Sequence, residues 1–139
     1  MSKKVKPAEV PAEPVFDFRT IKSFEDACKQ IRITTKLPDV SEIMDEDLRK
    51  PIVAAYKLIV IFKAINNGWQ PDWSKLSQGK YFPWYRVLSS GFGFSGSVYD
   101  FGNTGTCVGS RLCTDTSEKA LYIAEQFKEE YNEYFLYSE

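Results

Sequence analysis

Residues able to do chemistry in this chain are concentrated between Trp69 and Cys113. Within that stretch Trp69, Trp73, Tyr81, Trp84 and Tyr85 are interleaved with Lys75, Lys80 and Arg86, and Arg111 lies further along in Val108-Gly109-Ser110-Arg111-Leu112. Rings that stack on bases, set beside cations that hold phosphates, suit a platform for single-stranded nucleic acid. The same rings suit a surface for a protein partner, or a seal between a helix and a sheet with the indole N–H groups bonded at the rim. Arg111 either joins the cationic set or pairs with Asp100 or an acid of a neighbouring helix.

Other arrangements are weaker. Asp72 and Asp100 are the carboxylates of the aromatic stretch, and a pair of acids flanked by indoles is what a glycosidase-like hydrolase would use. Isolated aspartates in turns more often bond their own backbone. Gly91, Gly93 and Gly96 spell GxGxxG, but a dinucleotide site needs a strand before the motif and a helix after it; here a strand follows. Histidine is absent. That removes His-assisted nucleophiles, His-ligated zinc and imidazole acid–base work from this chain, so a non-enzymatic role is expected, with no cofactor and no metal.

The elements that must position these residues follow from composition and pattern. A chain of 139 residues is one domain's worth, and its 15% aromatic content predicts a ring-rich core. All three tryptophans and all eight glycines fall between Gly68 and Gly109, where rings and permissive backbone suggest short, turned strands. The expected fold is α+β: an antiparallel meander with strands at Tyr81–Leu88, Phe92–Phe101 and Thr106–Cys113, packed against two main helices and a short N-terminal one. Pro83 belongs at a sheet edge or at the start of its strand.

The main helix is expected from about Glu46 to Asn67, stopped by Asn67-Gly68, with Pro51 in its first turn or at a kink. Apolar residues from Ile52 to Ile65 cover more than one stripe, so this helix should be buried on most sides, with Lys57 and Lys63 on its polar face. Ser23 and Asp26 resemble a capping box opening a helix over Phe24–Ile31. Thr116 or Asp115 should cap a last helix that runs to Tyr134 across the sheet. Trp69, next to the helix stop, should be buried, and Trp73, beside Ser74 and Lys75, exposed. Residues 1–15, with three prolines and little apolar surface, read as a disordered or loosely docked tail before a single domain over 16–139.

Charge and cysteines set the remaining bounds. The net charge is −1, so no overall positive field draws the protein to nucleic acid or lipid. Trp69–Cys113 nevertheless carries four cations against two carboxylates, while the chain from Thr114 onward carries seven carboxylates against two lysines. Cys28, Cys107 and Cys113 are odd in number and lack paired spacing, which points to reduced, structural thiols. No secretory signal is visible at the start, and the longest apolar run, Leu58–Phe62, is too short for a membrane span. A cytoplasmic protein without a membrane role is expected.

Phe24-Glu25-Asp26-Ala27-Cys28, Tyr56-Lys57-Leu58, Asn67-Gly68-Trp69, Pro71-Asp72-Trp73, Lys80-Tyr81, Pro83-Trp84 and Val108-Gly109-Ser110-Arg111-Leu112 resemble segments of uncharacterised proteins encoded by gut bacteria, their prophages and related phages. The resemblance covers roughly residues 20–130. It implies an accessory product of a mobile element acting in the cytoplasm and carries no catalytic or cofactor residues, because that family has no assigned activity.

Overall fold

A computed structural model describes residues 15–88, 91–101 and 109–136, with the backbone alone for 87–88 and 91–101. The tail expected over residues 1–15 falls, but for Val15, outside these described residues. In chain order the elements are a 3₁₀ turn at Phe18–Thr20, helices α1 (Phe24–Gln30) and α2 (Glu46–Asn66), strands β1 (Gly79–Leu88) and β2 (Gly91–Phe101), and helices α3 (Ser117–Gln126) and α4 (Lys128–Phe135). Among the described residues the protein is mainly helical, with one two-stranded antiparallel ribbon instead of a three-stranded meander.

Local chemistry accounts for the helix ends. Ser23 Oγ accepts from Asp26 N at 3.1 Å, while Asp26 Oδ2 reaches back to Lys22 N at 3.0 Å, so the reciprocal bond is made one residue early. Asp45 caps α2 through Asp47 N, and Asn67 (φ 44°) followed by Gly68 (φ 92°) ends it in two left-handed residues. Pro51 is the sixth helical residue rather than part of the first turn. Thr116 caps α3 by accepting from Lys119 N.

The core is built on α2. Leu58, Ile61, Phe62 and Ile65 are fully buried and pack with Phe24, Ala27 and Cys28 of α1 and with Ile123, Phe127 and Tyr131 from the last two helices. Burial is not uniform along α2, as Leu48 and Ile52 near its start are exposed. From Ala54 onward, with exposed Lys63 as an exception, α2 behaves as the enclosed helix that its composition suggested.

The last helix is divided. At Phe127 the backbone leaves helical geometry (φ −114°, ψ 31°), and the two halves serve different neighbours: α3 packs on both strands, whereas α4 packs on α2. No proline or glycine is present at the break. Phe127 is itself buried, and the change of direction lets Ile123 and Tyr131 reach one core from helices lying on two surfaces.

Strands β1 and β2 pair from Gly79↔Phe101 to Leu88↔Gly91, with an irregularity between Trp84 and Tyr85 opposite Gly96 and Phe94. Of the expected third strand, residues 106–108 lie outside the described residues and 109–112 form turns. Only a single bridge follows, in which Tyr81 and Thr114 exchange N–H···O bonds of 2.9 and 2.8 Å. Pro83 explains why the pairing stops. Tyr81 turns its N–H to that outer edge, so by the two-residue period Pro83 faces the same edge and has no N–H to continue the ladder.

Candidate functional site

Fully enclosed, Lys80 is 0% exposed, and its ammonium donates to three backbone carbonyls, those of Asp72 (2.9 Å), Gln78 (3.2 Å) and Lys75 (3.3 Å). The indole of Trp73 lies over it, with Nζ 5.0 Å from the ring centroid. No carboxylate forms an ion pair with Lys80 among the described side chains. A buried cation is tolerated where its protons are hydrogen-bonded, and here three carbonyls and a ring face supply what water would. Lys80 thus shapes the loop over residues 72–78 and leaves no ammonium for a ligand.

The rest of the aromatic–cationic strip separates. Tyr85, half-buried, donates its hydroxyl to the Ala124 carbonyl at 2.5 Å and packs on Tyr131 at 5.1 Å; burial first, and Glu130 second, raise its pKa well above the ordinary range. Its work is to fasten β1 to α3. Tyr81 is half-buried beside the bridge to Thr114. Trp84 is 41% exposed, with the Arg86 guanidinium 5.7 Å from its ring, and Lys75 is exposed.

Trp69 is half-buried rather than buried, and Trp73 is 40% exposed. The tryptophans therefore do not form a sealed junction. Trp69 and Trp73 instead share a cleft of about 550 Å³ with Lys63 and Asn66 from the end of α2, Gln70 from the loop, and Arg111 from the turn before Thr114. Ile31 and Ile59 add apolar lining. Lys63 and Arg111 are exposed and make no hydrogen bond or ion pair among the described residues. No described residue lining the cleft carries a carboxylate.

Asn66 marks the cleft's inner side. Its Nδ2 donates to the Cys113 carbonyl at 2.9 Å, which fixes the amide orientation and leaves Oδ1 buried without a hydrogen-bond partner among the described residues. Nearby, Gln30 Nε2 contacts Asn67 Oδ1 at 3.4 Å, tying α1 to the end of α2. Of the cleft residues, Trp73 and Arg111 belong to the expected site, whereas Lys63, Asn66 and Gln70 were not selected from the sequence. A signal for Lys63 existed: it precedes Asn67, the helix stop, by four residues and therefore lies on the helix face that leads into Trp69.

Asp72 holds Ser74 through its Oδ1, which accepts from N at 3.0 Å and from Oγ at 2.6 Å. The serine hydroxyl, then its backbone N–H, keep this carboxyl below the usual range, opposite to what a general acid needs. The Asp100 side chain lies outside the described residues; its Cα is opposite Lys80 in the ribbon. Gly91, Gly93 and Gly96 lie within β2 itself, so the helix that a dinucleotide motif requires does not follow them. Cys28 and Cys113 are free and buried, and burial pushes the Cys113 thiol up to about 11 against the opposing pull of Lys80. Cys107 lies outside the described residues. No cluster of metal-ligating side chains occurs among the described residues, and no helix there is long and apolar enough to cross a membrane.

No protein-family model matches this chain, and no curated protein or solved structure does.

Proposed function

We propose that this protein is a non-enzymatic binding module whose recognition site is the cleft under Trp69 and Trp73, not the whole strip over residues 69–86. The observation that carries this reading is the meeting of two indoles with two cations that have no ion pair among the described residues, at one cleft whose described lining holds no carboxylate. In a chain of net charge −1, that local excess selects for a partner bringing negative charge. Trp84 and Arg86 form a separate exposed pair on the ribbon and are not needed for it. A protein partner with an acidic segment and single-stranded nucleic acid both meet the charge requirement; the accessory role on a mobile element, in the cytoplasm, rests on the resemblance of the aromatic motifs alone.

The test is fluorescence anisotropy with labelled acidic peptides and short single-stranded oligonucleotides over a series of salt concentrations. Wild-type protein should bind at least one class, more weakly as salt rises. The Lys63→Gln/Arg111→Gln double variant should lose that binding with its melting temperature little changed, since neither cation has a hydrogen bond or ion pair among the described residues and Lys63 gives up only its interaction with the C-terminal end of α2. Binding that survives the double variant, or that Arg86→Gln removes instead, would place recognition elsewhere.

A further inference from the structure

We infer that the cleft takes a nucleoside phosphate, either free or as the terminal nucleotide of a single strand, with the base against the indoles and the phosphate on Arg111 and Lys63. This deepens the binding reading above and depends on it. A lysine and an arginine in a cleft whose described lining holds no carboxylate call for an anion, and arginine's planar fork matches phosphate oxygens. Two indoles call for a flat face, which an anion such as a simple sugar phosphate lacks. Carboxamides complete the set: Gln70 has no hydrogen-bond partner among the described residues, and a free amide beside stacking rings is the group that reads the edge of a base. The volume of about 550 Å³ is within the range of about 300–1,000 Å³ usual for small-ligand sites.

The helix end sets the orientation. The C-terminal end of α2 brings partial negative charge to one side of the cleft, which disfavours phosphate there except where Lys63, on the last turn, offsets it. Arg111 comes from a different segment and carries no such neighbour, so the phosphate belongs mainly to Arg111 and the base to the side of Trp69 and Gln70.

Titration of the Trp84→Phe protein, in which Trp69 and Trp73 are the remaining indoles, separates the two requirements by tryptophan quenching and calorimetry. AMP should bind saturably. Adenosine, lacking the phosphate, and ribose 5-phosphate, lacking the base, should each bind at least about tenfold more weakly, a lost stack alone being worth about fivefold to 150-fold. Arg111→Gln should weaken AMP by about tenfold while leaving the residual adenosine affinity unchanged, a pattern that misfolding would not produce. A short oligoadenylate with a 5′-phosphate, compared with AMP, assigns the source: tighter binding of the strand indicates a strand end, and tighter binding of AMP a free nucleotide.

Ribose 5-phosphate binding as tightly as AMP would overturn the proposal by showing a phosphate site with no base recognition. Failure of AMP and the strand beside cleft-dependent binding of an acidic peptide would overturn it and leave the binding reading standing. Failure of every anionic probe would remove both.

Discussion

In the helical body Phe62, Phe127 and Tyr131 have almost no contact with solvent, whereas Trp73 in the loop and Trp84 on the ribbon keep 40% and 41% of their surface exposed. The loop hides a lysine where the helical body hides phenylalanines. This inversion shows how a small protein displays large apolar area without losing its core: helices bury enough on their own, and the loop is held by one ammonium bonded to three carbonyls instead of by its rings. Trp73 and Trp84 thereby keep part of each ring in solvent.

The largest effect should come from the helical body. Phe62→Ala removes a fully buried ring and should cost about 3–5 kcal/mol in denaturant unfolding. The counterpart is Lys80, at the start of β1 beneath the loop: Lys80→Met keeps the stem but removes the donor shared by the Asp72, Lys75 and Gln78 carbonyls, the first two of which keep bonds from Lys75 N and Gln78 N, and a loss of about 1–3 kcal/mol is expected by the same measurement. If Lys80→Met were silent while Trp73→Ala cost as much as Phe62→Ala, the contrast between the two regions would collapse.

Smaller changes refine it. Tyr85→Phe deletes the hydroxyl bond to Ala124 between ribbon and α3 and should cost about 0.5–1.5 kcal/mol. Trp84→Ala, at a 41% exposed position with Arg86 over its ring, should shift stability by no more than about 1 kcal/mol. The smallest effect near neutrality is in pH dependence. Folding holds the Cys113 thiol protonated up to about 11, against an ordinary value of 9.0, so the native state binds more protons between those values. Stability is therefore intact below pH 9.0 and falls as the pH rises through about 11. Cys113→Ala should make that alkaline fall shallower in pH-dependent unfolding, and an unchanged slope would mean that Cys113 does not contribute to it.

Local signals were legible in the sequence and non-local ones were not. The caps at Ser23 and Thr116 and the stop at Asn67-Gly68 depend on a few neighbouring residues, and each lies where its chemistry suggested. The third strand failed because the edge that Pro83 faces is decided by which neighbour β1 pairs with, a fact outside any local window. The break at Phe127 has no proline or glycine to announce it; two docking surfaces create it. Lys80 resembled its neighbours Lys75 and Arg86 in the sequence, and only the wrapping of the loop over residues 72–78 distinguishes it. Among the cleft residues, Trp73 and Arg111 stood out by type, while Lys63, Asn66 and Gln70 are ordinary residues brought together by the end of α2.

The enclosure of Lys80 also makes its amine a clock. Acylating reagents need a neutral, accessible amine, and this one is engaged with three carbonyls beneath an indole as long as the loop remains closed. Its labelling rate is therefore limited by opening of the loop over residues 72–78, while exposed Lys63 and Lys75 in the same molecule react at rates set by the reagent. Mass spectrometry of the three sites over time would report how often that loop opens, and a ligand in the cleft, resting on Trp73, should slow the clock at Lys80 without altering it at Lys75.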